Sequence, residues 1–173
     1  MNANTALLVI DMQTGLFDEG AYQADDLVKN VSSLTDRARK AHVPVIYVQH
    51  NADDPRDSLF PTSPGHEIAP AVAPKAGELV VQKTTPDSFH DTTLRQELEA
   101  RGIQKLVIAG MQTDYCVNAT SRSAVKLGYD VTLVSDAHTT GDSPTTQQVI
   151  DDHNRDLEKE GAHLVTTDKV KFD

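Results

Sequence analysis

The chain has 173 residues, 38% of them hydrophobic and 24% charged, which suits a soluble globular protein with one sizeable core. Its formal charge of −10 argues against nucleic-acid phosphates and anionic membranes as partners, and the absence of Trp leaves few residues for an aromatic stacking platform. The single cysteine, Cys116, excludes an intramolecular disulfide and gives no sign of an oxidising compartment.

The N-terminal stretch "MNANTALLVIDMQ" lacks the basic start and long apolar run of a signal peptide, and no segment approaches the roughly 20 apolar residues of a membrane helix. A cytoplasmic protein is the simplest expectation. Apolar runs "TALLVID" (5–11), "PVIYVQH" (44–50), "ELVVQK" (78–83), "KLVIAG" (105–110), "DVTLVSD" (130–136) and "AHLVTT" (162–167) read as strands buried on both faces. Between the first two, Leu27, Val31, Leu34 and Ala38 form a helical stripe. "TTLRQELEARG" and "YCVNATSRSAVKLG" read as helices that stop at Gly102 and Gly128, and "PTTQQVIDDHNRDLEKEG" is framed by Pro144 and Gly161. The alternation predicts one α/β domain over 1–173, doubly wound, with a mostly parallel six-stranded sheet and helices on both faces. Residues 51–77 break the rhythm; they hold five of the eight prolines and read as a functional loop or lid.

Ligands of open α/β sheets bind outside the carboxyl ends of the strands. Asp11, His50, Lys83 and Asp136 close predicted strands, and Cys116 follows another at a strand-to-helix turn. A lone cysteine is commonly a small buried side chain, and a strand-terminal Lys is commonly solvated. Position distinguishes these residues. Near a helix N-terminus the thiol of Cys116 is expected to have a lowered pKa. Asp11 would accept its proton, Lys83 would hold Asp11 ionised, and Cys116 would attack an electrophilic carbon while backbone N–H groups receive the oxyanion.

The stretches "LLVIDMQTGLF", "VVQKTTPDSF", "GMQTDYCVNATSRSA" and "LVSDA" resemble, in this order and spacing, the isochorismatase-like cysteine hydrolases, relatives of nicotinamidase and N-carbamoylsarcosine amidase. The resemblance covers nearly the whole chain. It implies a doubly wound α/β sandwich, assembled as a homodimer or homotetramer, with Asp11, Lys83 and Cys116 catalytic. It implies an oxyanion hole from the backbone N–H groups of Gln112 and Cys116, and a cis Met111–Gln112 peptide that turns one of them inward. Phe17, His50, Phe89 and Tyr115, in or beside the motifs, are the expected substrate-binding residues, with Phe60 and His66 as further lid contributions. The nicotinamidase metal motif, Asp-x-His, is missing: the matching stretch "VQHNADDP" has His50 and Ala52 at those places. No metal and no other cofactor is therefore expected. The resemblance implies hydrolysis of a C–N bond in a small amide, ureide or carbamoyl compound through a thioester. Three alternatives stand beside it: an isochorismatase-type vinyl-ether hydrolase, a non-catalytic small-molecule binding protein of the same fold, and a thiol redox sensor, the last weakened by the lack of a resolving cysteine.

Overall fold

Along the first apolar run, Leu7 and Val9 point to one side and Ala6, Leu8 and Ile10 to the other, and all five are fully buried. A strand apolar on both faces needs cover on both, and the chain supplies it with helices. The computed structural model describes residues 4–172. Its strands are β1 (Thr5–Ile10), β2 (Val45–His50), β3 (Val80–Lys83), β4 (Lys105–Met111), β5 (Asp130–Thr139) and β6 (His163–Val165). They form one sheet in the order β3-β2-β1-β4-β5-β6, with every neighbouring pair parallel. The helices are α1 (Thr14–Asp18), α2 (Ala24–Lys40), α3 (Leu94–Ala100), α4 (Asn118–Lys126) and α5 (Thr146–Lys159).

The stripe Leu27, Val31, Leu34 and Ala38 of α2 packs on Leu7, Val9, Val45, Tyr47, Val107 and Ala109. On the other face, Leu94 and Leu98 of α3, Ala124 of α4 and Leu157 of α5 pack on Ala6, Leu8, Ile10, Ile46, Val48, Leu106 and Ile108. The sheet is thus the middle layer of three, as the alternation predicts. Helix α2 opens with Asp25 and Asp26 and closes with Arg37, Arg39 and Lys40, in favourable directions for its dipole.

Two local expectations are corrected, and one element is new. Strand β5 runs on past Asp136 to Thr139, because its register against β4 shifts between the Ile108–Leu133 and Gly110–His138 pairs. The bulge turns Asp136 away from the strand end; its Oδ1 accepts from the backbone N–H and the hydroxyl of Thr167. Pro144 lies ahead of α5, which begins at Thr146. Helix α1 is only five residues long, too short to show a helical period in the sequence. Residues 51–77 contain only two single-turn 3-10 segments, Pro64–His66 and Pro70–Val72.

Candidate active site

The strand order reverses direction of growth between β1 and β4, so a crevice opens at their carboxyl ends. Asp11 follows β1 directly. Its backbone N–H donates to Val48 O at 3.0 Å, and its φ of 49° lies in the left-handed region, which Asp tolerates better than most residues. Gly110 of β4 passes beside Ile10 so closely that a Cβ there would sit 2.1 Å from Ile10 O. Only glycine lets the two strands that carry the site approach in this way. The Met111–Gln112 peptide that follows is cis, as expected from the resemblance.

Between β4 and α4 the chain makes one wide turn, Thr113–Val117, of π-helical form. Gln112 O accepts from both Tyr115 N and Val117 N, at 3.1 and 3.0 Å. Such turns concentrate at functional sites. Thr113 is buried, and its hydroxyl lies 2.8 Å from His138 Nδ1. The far ring nitrogen of His138 lies 2.7 Å from Asn154 Oδ1, while the Asn154 amide nitrogen donates to Ser135 O at 3.1 Å. That orients the Asn154 oxygen as acceptor, so His138 donates from Nε2 and its Nδ1 accepts from Thr113. The turn is thereby tied through His138 to α5.

Cys116 projects from this turn toward the ends of β1, β2 and β3. The Lys83 ammonium, fully buried, reaches Asp11 Oδ2 at 3.0 Å, His50 Nδ1 at 3.0 Å and Cys116 Sγ at 3.2 Å. Three donors meet three acceptors, which uses every proton of the ammonium. A neutral His50 must then carry its own proton on Nε2. Burial first, and Lys83 second, hold the His50 pKa below its ordinary value. The other carboxylate oxygen, Asp11 Oδ1, is buried and has no hydrogen-bond partner among the described residues.

The lowered thiol pKa expected from the helix N-terminus is not found. Burial, reinforced by the charge of Asp11 and only partly offset by Lys83, pushes Cys116 up to about 12. The helix dipole acts over its first turn, and α4 begins only at Asn118, whereas desolvation acts on the whole side chain. The resting residue is a thiol beside a carboxylate, not a preformed thiolate.

A cavity of about 240 Å³ opens over Cys116, lined by Asp11, Leu16, His50, Leu59, Pro86, Gln112, Tyr115 and Cys116. Larger hollows elsewhere on the surface, such as one of about 500 Å³ lined by Arg95, Glu99 and Tyr129, do not border these residues. His50 and Tyr115 border the cavity as expected. Phe17 and Phe89 do not. Phe17 packs on the α2 side of the sheet, and Phe89 stacks on Tyr129 with ring centroids 5.7 Å apart. Leu16, Leu59 and Pro86 supply the apolar wall instead, and Leu16 and Pro86 lie within the quoted motifs.

Gln13 was also unmarked by the sequence. Fully buried, its side chain accepts from His50 N and donates to His50 O and His66 O, joining the end of β2 to the 51–77 segment. His66 in turn meets Asn51 Oδ1 at 2.6 Å. No local pattern announces an amide that bonds 37 and 53 residues away. Among the described residues no group of three or more His, Cys, Asp or Glu side chains is arranged to hold a metal ion. No described helix is long and apolar enough to cross a membrane.

The comparisons with known proteins bear on the family and the fold. Residues 5–169 match the Isochorismatase domain family. The chain is 35% identical over 169 residues to a streptothricin hydrolase of Streptomyces noursei, covering 96% of this chain and 61% of that protein. The chain therefore spans less than two thirds of that relative's length. Among solved structures, a cysteine hydrolase of Pseudomonas syringae superposes with a TM-score of 0.90 at 26% identity, covering 98% of this chain and 91% of the other. N-carbamoylsarcosine amidase of Thermoplasma acidophilum superposes with a TM-score of 0.80 at 25% identity, covering 97% and 99%. With the family match over nearly the whole chain and a parallel sheet shared with the solved structures, one assignment follows: the chain belongs to the isochorismatase family.

Proposed function

We propose that the protein hydrolyses a C–N bond in a small amide, ureide or carbamoyl compound, with Cys116 as nucleophile and a thioester intermediate. The observation that carries this reading is the Lys83 ammonium bonded at once to Asp11, His50 and Cys116, with Asp11 on the cavity lining and its Oδ1 left without a partner. A thiol with a pKa near 12 needs a base at the moment of attack. Asp11 Oδ1 takes the S–H proton as Sγ bonds to the substrate carbonyl carbon. The carbonyl electrons move to oxygen, where the backbone N–H groups of Gln112 and Cys116 receive the charge. As the tetrahedral intermediate collapses, the C–N bond breaks and Asp11 returns the proton to the leaving nitrogen. Water then attacks the thioester, gives its proton to Asp11, and the thiol is restored with release of the acid. Lys83 stays paired with Asp11 Oδ2 through these transfers.

An amide suits the open carboxylate better than a vinyl ether does. A substrate N–H can donate to Asp11 Oδ1, and an ether oxygen cannot. The streptothricin hydrolase and the N-carbamoylsarcosine amidase among the similar proteins point the same way by name. The test is ammonia release from a panel of small amides by the wild-type chain and by Cys116→Ala, with mass spectrometry for the acyl adduct. The expected result is turnover and a Cys116-bound acyl group in the wild type and neither in the variant. Undiminished turnover by Cys116→Ala would refute covalent catalysis.

A further inference from the structure

The charges around the cavity carry information about the substrate itself. Of the eight lining residues, Asp11 is the only formally charged one, and its Oδ1 has no partner. The nearest cation, Lys83, is buried behind the lining with its three protons given to Asp11, His50 and Cys116. The walls are Leu16, Leu59, Pro86 and the ring of Tyr115, which is 58% exposed at the rim. Beyond them the 51–77 segment adds more negative charge. Asp57 Oδ1 accepts from the backbone N–H of Leu59, a lining residue, at 2.8 Å, Asp53 follows Ala52, whose N–H donates to Leu59 O at 3.1 Å, and Arg56, the cation between them, is paired with Asp54 at 2.8 Å.

A carboxylate entering this space would meet Asp11 inside and Asp53 and Asp57 outside, with no free cation at the lining to receive it. A desolvated charge without a partner is strongly disfavoured. A neutral amide meets the opposite situation. Its N–H finds Asp11 Oδ1, its carbonyl oxygen faces the backbone N–H groups of Gln112 and Cys116, and its body finds the apolar walls.

Resting on the hydrolase reading above, we infer that the site takes uncharged amides with an apolar body and discriminates against substrates that carry a carboxylate. Discrimination arises as much from what the pocket repels as from what it holds.

Because the chain has one cysteine, alkylation reports on Cys116 alone. Iodoacetamide and iodoacetate differ in charge at nearly constant size, and neither requires knowledge of the natural substrate. The rate ratio, neutral over anionic, is measured in the folded protein and in the same chain unfolded in urea at the same pH. Folding is expected to raise the ratio about tenfold or more. A ratio unchanged or lowered by folding overturns the inference. The double variant Asp53→Asn/Asp57→Asn should bring the folded ratio down by about twofold or more. An unaltered ratio would remove the rim from the explanation. A parallel measurement compares ammonia release from hexanamide and from adipic acid monoamide, its carboxylate-bearing analogue. Preference for hexanamide supports the inference, and preference for the monoamide overturns it while leaving the amidase reading in place. Charge-selective alkylation with no ammonia from either amide supports the pocket's selectivity and counts against the proposed reaction.

Discussion

Lys83 decides more at this site than its one charge suggests. Its side chain is fully buried, so the ammonium stays only because Asp11, His50 and Cys116 each accept one of its protons. Lys83→Met keeps the length and removes the donors. Lys83 opposes the upward push on the Cys116 pKa, so its loss raises that pKa further. The expected outcome is a Cys116 alkylation rate at pH 8 lower by about tenfold, one pKa unit, with the rate-against-pH curve moved toward alkali. A superimposable curve would show that Lys83 does not act on the thiol. Removing one partner of a buried ion pair also costs about 3–5 kcal/mol of stability, readable as a lower Tm. The sequence makes Asp11, Lys83 and Cys116 visible because each ends an apolar run or follows one. It does not reveal that His50 completes the coordination of the ammonium, which needs the register that sets His50 beside Lys83 in neighbouring strands. Nor does it give the sign of the Cys116 shift: position relative to a helix is local, whereas burial sums over the whole fold.

At the scale of elements, the 51–77 segment is held by Ala69 and Val72 in the buried core and by hydrogen bonds back to the sheet and helices. Gln13 grips it at His66, Tyr47 OH donates to Val72 O at 2.7 Å, and Thr14 N donates to Glu67 O at 2.8 Å. Gly65 lies against α1 so tightly that a Cβ would stand 2.9 Å from Gly15 Cα. Gln13→Ala removes the side-chain partner of His50 N and His50 O and leaves His66 O with Gln49 alone. The expected cost is about 1–3 kcal/mol, with faster amide hydrogen exchange through 64–69 while β1 and β4 stay protected. Uniform acceleration across the sheet would mean that Gln13 supports the whole fold and not this segment. The strands and the longer helices were legible because their apolar periods are long enough to count. The short turns of 51–77 and α1 were not, since turns of three to five residues carry no period. The irregularity of 51–77 was nonetheless suggested by its prolines.

For the molecule as a whole, His138 links stability to pH. It is buried between the Cys116 turn and α5, and burial, with smaller opposing help from Asn154, lowers its pKa from 6.5 to about 4. Above 6.5 the ring is neutral in both folded and unfolded chains. As pH falls below that value the unfolded chain binds a proton that the folded chain refuses until about 4. Stability is therefore intact above the window and lost through it, by about 3 kcal/mol in all. Urea unfolding at pH 7 and pH 4.5 should show this loss in the wild type and a clearly smaller one in His138→Asn. Equal losses would place the acid sensitivity elsewhere. A further consequence follows from where the chain puts its parts. Asp11, Lys83 and Cys116 sit at or just beyond the ends of central strands, while the apolar wall comes from Leu16, Leu59 and Pro86 on the segments that follow β1, β2 and β3. The wall can thus change without dismantling the reactive trio, and a lineage can rebuild it for a new guest while inheriting the chemistry unchanged.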